Sequence, residues 1–128
     1  MVLNDVLEIL RNDAKLSELL KPTANDSKIY AYRGQADTCI AYRLTPVSSD
    51  GIKAQDKLEI NCISTDYATA ENILRRVKDL ILTVGDEKLN DEILTVSLNG
   101  GGILFDEKTE QHILKAYFVL VTKERMLK

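Results

Sequence analysis

The sequence predicts an α+β fold in which a mainly antiparallel sheet carries an N-terminal helix and a central helix packed on one face. Three observations support this prediction. An apolar stripe of helical period opens the chain, a longer one lies in its middle, and runs of alternating polarity fill the segments between and after them. Such grouped helices and strands are typical of α+β proteins. Because the chain has 128 residues, we expect it to form one domain spanning residues 1–128.

The first segment is predicted to be a helix followed by a shorter one. Asn12 or Asp13 is expected to interrupt the stripe and cap the second helix, which runs through Leu20. Pro22 then disfavours further helix, and residues 23–28 form a turn-rich loop. The apolar positions of the stripe are Leu3, Leu7, Leu10 and Ala14.

Two strands and a hairpin are predicted next. Residues 29–32 are a possible short strand, and residues 39–45 alternate with Ile40, Tyr42 and Leu44 on one face. Pro46 is expected to end this strand or to place it at a sheet edge. Asp50-Gly51 predicts a turn into a strand over about residues 53–64.

The central helix has clear start and stop signals. Asp66 is expected to cap its first turn, and Gly85 is placed to end it in a left-handed conformation. Arg75 can pair with Glu71 and Asp79 on the polar side. The apolar stripe, expected to pack on the sheet, consists of Ala70, Ile73, Leu74, Val77, Leu80, Ile81 and Val84.

The last part of the chain is predicted to form strands. Asn99-Gly100 predicts a hairpin turn between residues 92–98 and 102–107. Residues 112–124 form a final strand with both faces apolar, so periodicity does not decide which face meets the helices.

Composition and charge exclude several classes of protein. Hydrophobic residues make up 45% and charged residues 29%, which favours a folded chain. No apolar run reaches the ~18 residues of a membrane-spanning helix, so no membrane partner is expected. The start lacks signal-peptide features, which predicts a cytoplasmic protein. The net charge of −3 disfavours tight nucleic-acid binding, which needs excess Lys and Arg.

Residue types that often carry chemistry are better explained as structure. Cys39 and Cys62 lie in apolar alternating runs and are expected to be buried, reduced thiols. His112 cannot complete a usual zinc site with them, and a Cys39–His112 nucleophile–base pair would need both side chains at one concave surface. The glycine run at residues 100–102 precedes an apolar strand, unlike a phosphate-binding loop.

Acidic residues near the last turn are interpreted as a solvated loop. Asp106, Glu107 and Glu110 could act in acid–base chemistry only if one were buried with a raised pKa. We therefore predict no catalytic residue, no cofactor and no metal site.

The order of segments resembles a known family over nearly the whole chain. These segments are NDAKLSELL, KIYAYRG, CIAYRLTPVSSDG, KLEINCISTDYATAENILRRVKDLI and GILFDEKTEQHILKAYFVLV. Together they resemble the tail completion, or tail-to-head joining, proteins of long-tailed bacteriophages and prophages, a group related in fold to lambda-type tail terminators. The strand and Tyr-started helix of the fourth segment are the most distinctive part.

This resemblance implies a structural, non-enzymatic role. Such proteins form hexameric rings that cap the tail tube and provide the tail side of the head–tail joint. The implied partners are other copies of the chain, the tail tube protein and the head connector, with DNA only passing through the lumen. The implied locations are the host cytoplasm during assembly and the virion tail. A mildly acidic chain is compatible with a passage that must let DNA move.

The polar loop at residues 46–55 is the predicted contact with partners. It is longer and more polar than a tight hairpin needs, so we expect it to become ordered against a neighbouring subunit or the tail tube. An ordinary solvated loop is the alternative. The predicted interface residues are Val47, Ser48, Ser49, Asp50, Gly51, Ile52 and Lys53.

Two other classes of function stay open at this point. One is a small ligand-binding or regulatory module, which needs a pocket with converging polar groups. The other is a small enzyme with an acidic or cysteine-based site. A ring-shaped oligomer would favour the tail protein, whereas a deep apolar pocket with a perturbed carboxylate would favour these alternatives.

Overall fold

A five-stranded sheet and three helices make up the described part of the chain. The structure, a computed structural model, describes residues 2–34, 36–49, 53–83, 89 and 93–123. The helices are α1 (Val2–Arg11), α2 (Ala14–Leu20) and α3 (Tyr67–Ile81). The strands are β1 (Ile29–Ala31), β2 (Cys39–Ser49), β3 (Lys53–Ser64), β4 (Ile93–Asp106) and β5 (Gln111–Lys123).

The strand order is β1-β2-β3-β5-β4. Only β1 and β2 pair in parallel, and the other three pairs are antiparallel. The predicted α+β class is therefore confirmed.

The core lies between the helices and one face of the sheet. On β5 the face with Ala116, Phe118 and Leu120 is buried beneath the helices, which decides the question that periodicity left open. The predicted stripe of α3 is confirmed for Ala70, Ile73, Val77 and Ile81, whereas Leu74 and Leu80 are only partly buried. Ala14 is exposed because it begins α2 rather than continuing α1. The buried residues of the three helices are Val6, Leu7, Leu10, Leu16, Leu20, Ala70, Ile73, Val77 and Ile81.

Both predicted N-terminal caps are confirmed. The Asp13 carboxylate accepts a hydrogen bond from the Leu16 N–H (2.9 Å), and Asp66 accepts one from the Thr69 N–H (3.2 Å). These bonds satisfy backbone donors that the first turn of a helix leaves free. The predicted stop of α3 is wrong, because Leu82 is already the extended C-cap. Val84 and Gly85 lie outside the described residues.

Strand β2 continues through Pro46, so the proline does not end it. Its register with β3 shifts between Pro46 and Ser48, which marks an irregularity at the proline. β1 pairs only with Ile40, Ala41 and Tyr42. On the side of β2 away from β3, no described strand therefore pairs with Pro46. Proline is tolerated at such an edge because no ladder hydrogen bond is lost there.

The predicted hairpin turn at Asn99-Gly100 is wrong. β4 runs through this dipeptide, and its register with β5 shifts between Leu98 and Gly101. Leu98 pairs with Phe118 and Gly101 with Ala116, so β4 holds one extra residue there. Gly100, with φ of +92°, absorbs the resulting bulge. The chain reverses instead at residues 107–110.

Adjacent glycines in β4 are expected to respond differently to substitution. A Cβ at position 101 would collide with the Lys115 carbonyl oxygen, whereas a Cβ at position 102 would meet no atom within 4 Å. Gly101→Ala should therefore lower the free energy of unfolding by about 1–3 kcal/mol, as overpacking typically does. Gly102→Ala should change it by less than about 0.5 kcal/mol. Urea denaturation of both variants measures the difference, and equal midpoints would contradict the proposed bulge.

The two cysteines are buried on opposite faces of the sheet. Cys62 belongs to the core beneath the helices, and Cys39 lies in a small cluster with Ala41 and Ile63 on the other face. They form no disulfide with each other. This agrees with the expectation of buried thiols.

Burial should make both thiols unreactive in the folded protein. Burial raises the pKa of the Cys62 thiol, which lowers its reactive thiolate fraction. We expect a disulfide reagent such as DTNB to modify both cysteines at the rate of unfolding, and promptly in urea. Rapid labelling of either cysteine under native conditions would show that it is not buried.

Candidate functional site

The face of the sheet opposite the helices, here called the open face, carries paired polar groups beside the apolar cluster around Cys39. Glu59 accepts a hydrogen bond from the Asn61 side chain (2.9 Å) and lies 3.8 Å from the Lys115 ammonium. The Lys57 ammonium lies 4.5 Å from the centre of the Tyr117 ring. Such half-buried pairs give the sheet a cross-strand polar surface.

The conceivable Cys39–His112 pair is excluded by the register of the sheet. His112 pairs with Ser64, and Cys39 pairs with Ile63, the neighbouring residue of β3. Successive residues of a strand point to opposite faces, so the two side chains lie on opposite sides of the sheet. On the helix side, His112 lies edge-on to the Tyr67 ring, with the ring centres 5.4 Å apart. It therefore has a packing role.

The predicted acidic loop is a tight turn. The Asp106 carboxylate accepts a hydrogen bond from the Lys108 N–H (3.0 Å), and Glu110 adopts a left-handed conformation with φ of 56°. A carboxyl with a raised pKa occurs elsewhere, at Asp56 on β3, where partial burial is the cause. Asp56 is separated from the turn by the length of β3 and β5. The two carboxyl groups are therefore not brought together. Within the described ranges, no cluster of three or more metal-ligating residues occurs.

The structure places the predicted interface residues at the β2–β3 hairpin. Val47 is 58% exposed, Ser48 and Ser49 end β2, and Lys53 begins β3. Ser48 pairs with Gln55 and Ser49 with Ala54, so the ten-residue loop predicted at residues 46–55 is largely paired strand. Backbone pairing between β2 and β3 therefore continues closer to the hairpin turn than the polar composition of residues 46–55 suggested. Asp50, Gly51 and Ile52 lie outside the described residues.

A large exposed apolar surface lies on the second half of β4. Leu98, Ile103 and Phe105 are 46%, 63% and 52% exposed on the side that carries the helices, and Leu104 is 53% exposed on the open face. The sequence did not predict this surface, because Asn99-Gly100 is expected to form a hairpin turn between residues 92–98 and 102–107. The sequence does contain a signal for this surface, because three consecutive apolar residues follow the glycine run at residues 100–102. In a strand, such a run places apolar side chains on both faces of the sheet.

Among the residues that the structure describes, only the first half of the β4 edge is covered. The Thr83 N–H donates to the Val96 carbonyl oxygen (3.1 Å), and the Val96 N–H donates to Thr83 Oγ1 (3.0 Å). The Leu89 N–H donates to the Ile93 carbonyl oxygen (3.1 Å). No described strand pairs with β4 on this side, because β4 is last in the strand order. Residues 97–106, here called the open edge of β4, therefore present a strand edge together with exposed apolar side chains.

The other edge of the sheet is formed by β1, by Tyr32 and Arg33, and by residues 43–49 of β2. We call this the β1–β2 edge. Tyr32 is 73% exposed and adopts φ of 65°, which is unusual for a residue with a side chain. The Arg43 guanidinium lies 5.8 Å from the centre of the Tyr32 ring. This contact holds an exposed aromatic side chain at the rim of the sheet.

No helix within the described ranges is long and apolar enough to cross a membrane.

Comparison with known proteins gives a likeness of fold. No family model matches the chain, and no curated protein matches it. Among solved structures, it is similar to a chain in the virion of a native gene transfer agent particle. The two chains are 19% identical, the match covers 93% of this chain and 92% of the other, and the TM-score is 0.69. The shared α+β fold therefore extends over nearly the whole of both chains.

Proposed function

We propose that this protein is a structural component of a phage-like particle. The observation that carries the proposal is the fold shared with a gene transfer agent virion chain over 93% of the sequence. The exposed apolar surface of β4 supports it, because patches of this kind mark surfaces that bind other proteins. A structural rather than enzymatic role also agrees with the separation of Cys39 from His112.

Within that class, we propose the role of a tail completion protein. The chain would form a hexameric ring on the end of the tail tube and provide the surface that receives the head connector. Its order of segments resembles that family, and its net charge of −3 suits a ring through which DNA passes without being held. Assembly would take place in the host cytoplasm, and the final location would be the virion tail.

Removal of the gene from the phage or prophage that encodes it tests this role. We expect filled heads and tails to accumulate separately, because the joint between them is missing, and a plasmid copy of the gene should restore joined particles. Electron microscopy of lysates gives the readout. Joined, infectious particles in the absence of the gene would overturn the proposal.

The tip of the β2–β3 hairpin is proposed to contact a neighbouring subunit or the tail tube. The residues concerned are those from Val47 to Lys53. Val47 supports this, because an apolar side chain 58% exposed on a hairpin gains by being covered.

Val47→Glu is expected to reduce the yield of joined particles at least tenfold, because a charge replaces the apolar contact. The free energy of unfolding should change by less than about 0.5 kcal/mol, as for other exposed positions. Complementation assays and urea denaturation measure the two quantities. Ala14→Glu, at an exposed position on α2, is the matched control and should assemble normally. Normal assembly by Val47→Glu would remove the hairpin tip from the interface.

A further inference from the structure

We propose that the open edge of β4 is the surface on which the β1–β2 edge of a second copy of this chain docks. The sheet would then continue from one copy into the next through residues 29–33, because Pro46 has no N–H to donate to a new ladder. This inference rests on the proposed ring and adds to it the two surfaces that form the contact between subunits.

The open edge of β4 lacks most of the features that normally prevent edge-to-edge association. Edge strands are usually protected by charged side chains, by proline, by a bulge or by a covering segment, and of these the described residues supply only the bulge at Gly100. Thr83 and Leu89 cover the first half of β4, but no residue from 97 to 105 is charged or a proline. Because protection stops where the exposed apolar side chains begin, the second half is suited to receive another strand.

Gly102 supports close approach by another chain. Gly100 has a positive φ and Gly101 contacts the β5 backbone, so the bulge itself accounts for these two glycines. Position 102 has open space where a Cβ would be, so the fold of one copy does not require glycine there. A missing side chain on an exposed strand leaves its backbone accessible to a neighbour.

The direction of the strands makes the two edges compatible. β4 runs antiparallel to β5, β5 to β3, and β3 to β2, so β4 also runs antiparallel to β2 and β1. Pairing between the edges would therefore be antiparallel, like most of the sheet. The two edges are different surfaces, and a contact between different surfaces is heterologous, which can close a ring.

Charge favours the β1–β2 edge over a second β4 edge as the occupant. The open edge of β4 leads into the turn that carries Asp106, Glu107 and Glu110, with Lys108 as the single base between them. Residues 97–106 contain no basic residue, so a second β4 edge would bring no cation to these carboxylates. The β1–β2 edge instead carries Arg33 and Arg43, and its exposed Tyr32 is the kind of aromatic anchor found at protein interfaces.

Chemical cross-linking of two variants tests which edges meet. Tyr32→Cys and Leu104→Cys place exposed thiols on the two edges, both on the open face, while the native cysteines are buried. With a short bismaleimide, we expect the mixture to form a covalent dimer and either variant alone to remain largely monomeric. Asn72→Cys, on the exposed side of α3, is the control and should cross-link with neither. Equal cross-linking of Leu104→Cys alone would show β4–β4 contact and overturn the proposal.

Sedimentation velocity of Ile103→Lys provides the second test. Ile103 is 63% exposed, so lysine should change the free energy of unfolding by less than about 0.5 kcal/mol, yet it should weaken self-association at least tenfold because a charge on an edge strand opposes pairing with another strand. Ala14→Glu is again the control.

The outcomes separate the two proposals. If the wild-type protein associates and Ile103→Lys associates equally well, the edge contact is wrong and the ring stands. If the wild-type protein does not associate at any concentration, alone or with tail tubes, the ring is wrong and the edge contact falls with it.

Discussion

Phe118→Ala is expected to lower the free energy of unfolding by about 3–5 kcal/mol, the usual cost of removing a buried aromatic side chain. Phe118 is completely buried near the centre of the sheet, between its strand neighbours and the helices. Its loss removes apolar contacts and leaves a cavity that the surrounding strands fill only in part. Urea denaturation followed by circular dichroism measures the change.

The chain provides its own control, because it contains only two phenylalanines. Phe105 lies on the same side of the sheet but is 52% exposed. Phe105→Ala should cost less than half as much when measured at a protein concentration too low for association. Similar costs for the two substitutions would mean that the assignment of the buried face is wrong.

Asp13→Ala is expected to cost about 2–4 kcal/mol, because this carboxylate makes a helix cap and an ion pair at once. It caps α2 through the Leu16 N–H and accepts hydrogen bonds from Arg76 of α3 at 2.7 and 2.8 Å. The bidentate pair therefore connects the start of α2 to α3 through two residues that are 63 positions apart in sequence. Asp13→Asn keeps the cap but loses the charge, so it should cost less than Asp13→Ala.

The same ion pair predicts a dependence of stability on pH. Hydrogen bonds from Arg76 are the main cause that lowers the pKa of Asp13 below its usual value of 3.8. The unfolded chain therefore takes up this proton at a higher pH than the folded protein does. The stabilisation is complete above pH 3.8 and is lost as the pH falls through the pKa of the folded state.

The difference in unfolding free energy between wild type and Asp13→Asn should accordingly be constant near neutral pH and shrink below pH 4. Urea denaturation at pH 7, 4 and 3 measures it. A difference that stays constant over this range would show that the Asp13 carboxylate is not coupled to Arg76.

Local signals predicted the elements whose structure depends on near neighbours in the chain. The bounds of β3 are confirmed as predicted, because Asp50-Gly51 and the alternation of polar and apolar residues from Lys57 to Cys62 mark the strand without knowledge of its partners. The caps at Asp13 and Asp66 are confirmed because each carboxylate bonds a backbone N–H only three residues away. The α+β class followed from the order of these elements.

The candidate interface depended on pairing between distant segments. Asn99-Gly100 is a good turn by local preference, but its register with β5 makes it part of a bulged strand. Because β4 runs straight through this dipeptide as the last strand of the sheet, Leu98, Ile103 and Phe105 are exposed along one edge strand and do not lie on two strands joined by a turn.

The sequence by itself determined where α2 and α3 begin, where β3 lies and which side of α3 faces the core, because these follow from interactions within a few residues. Only the tertiary structure decided which face of β5 is covered, which residue pairs with Arg76, and which half of β4 remains open. Each of these depends on register and on contacts between residues far apart in sequence. A shift of one residue in the pairing of a strand moves all its side chains to the other face.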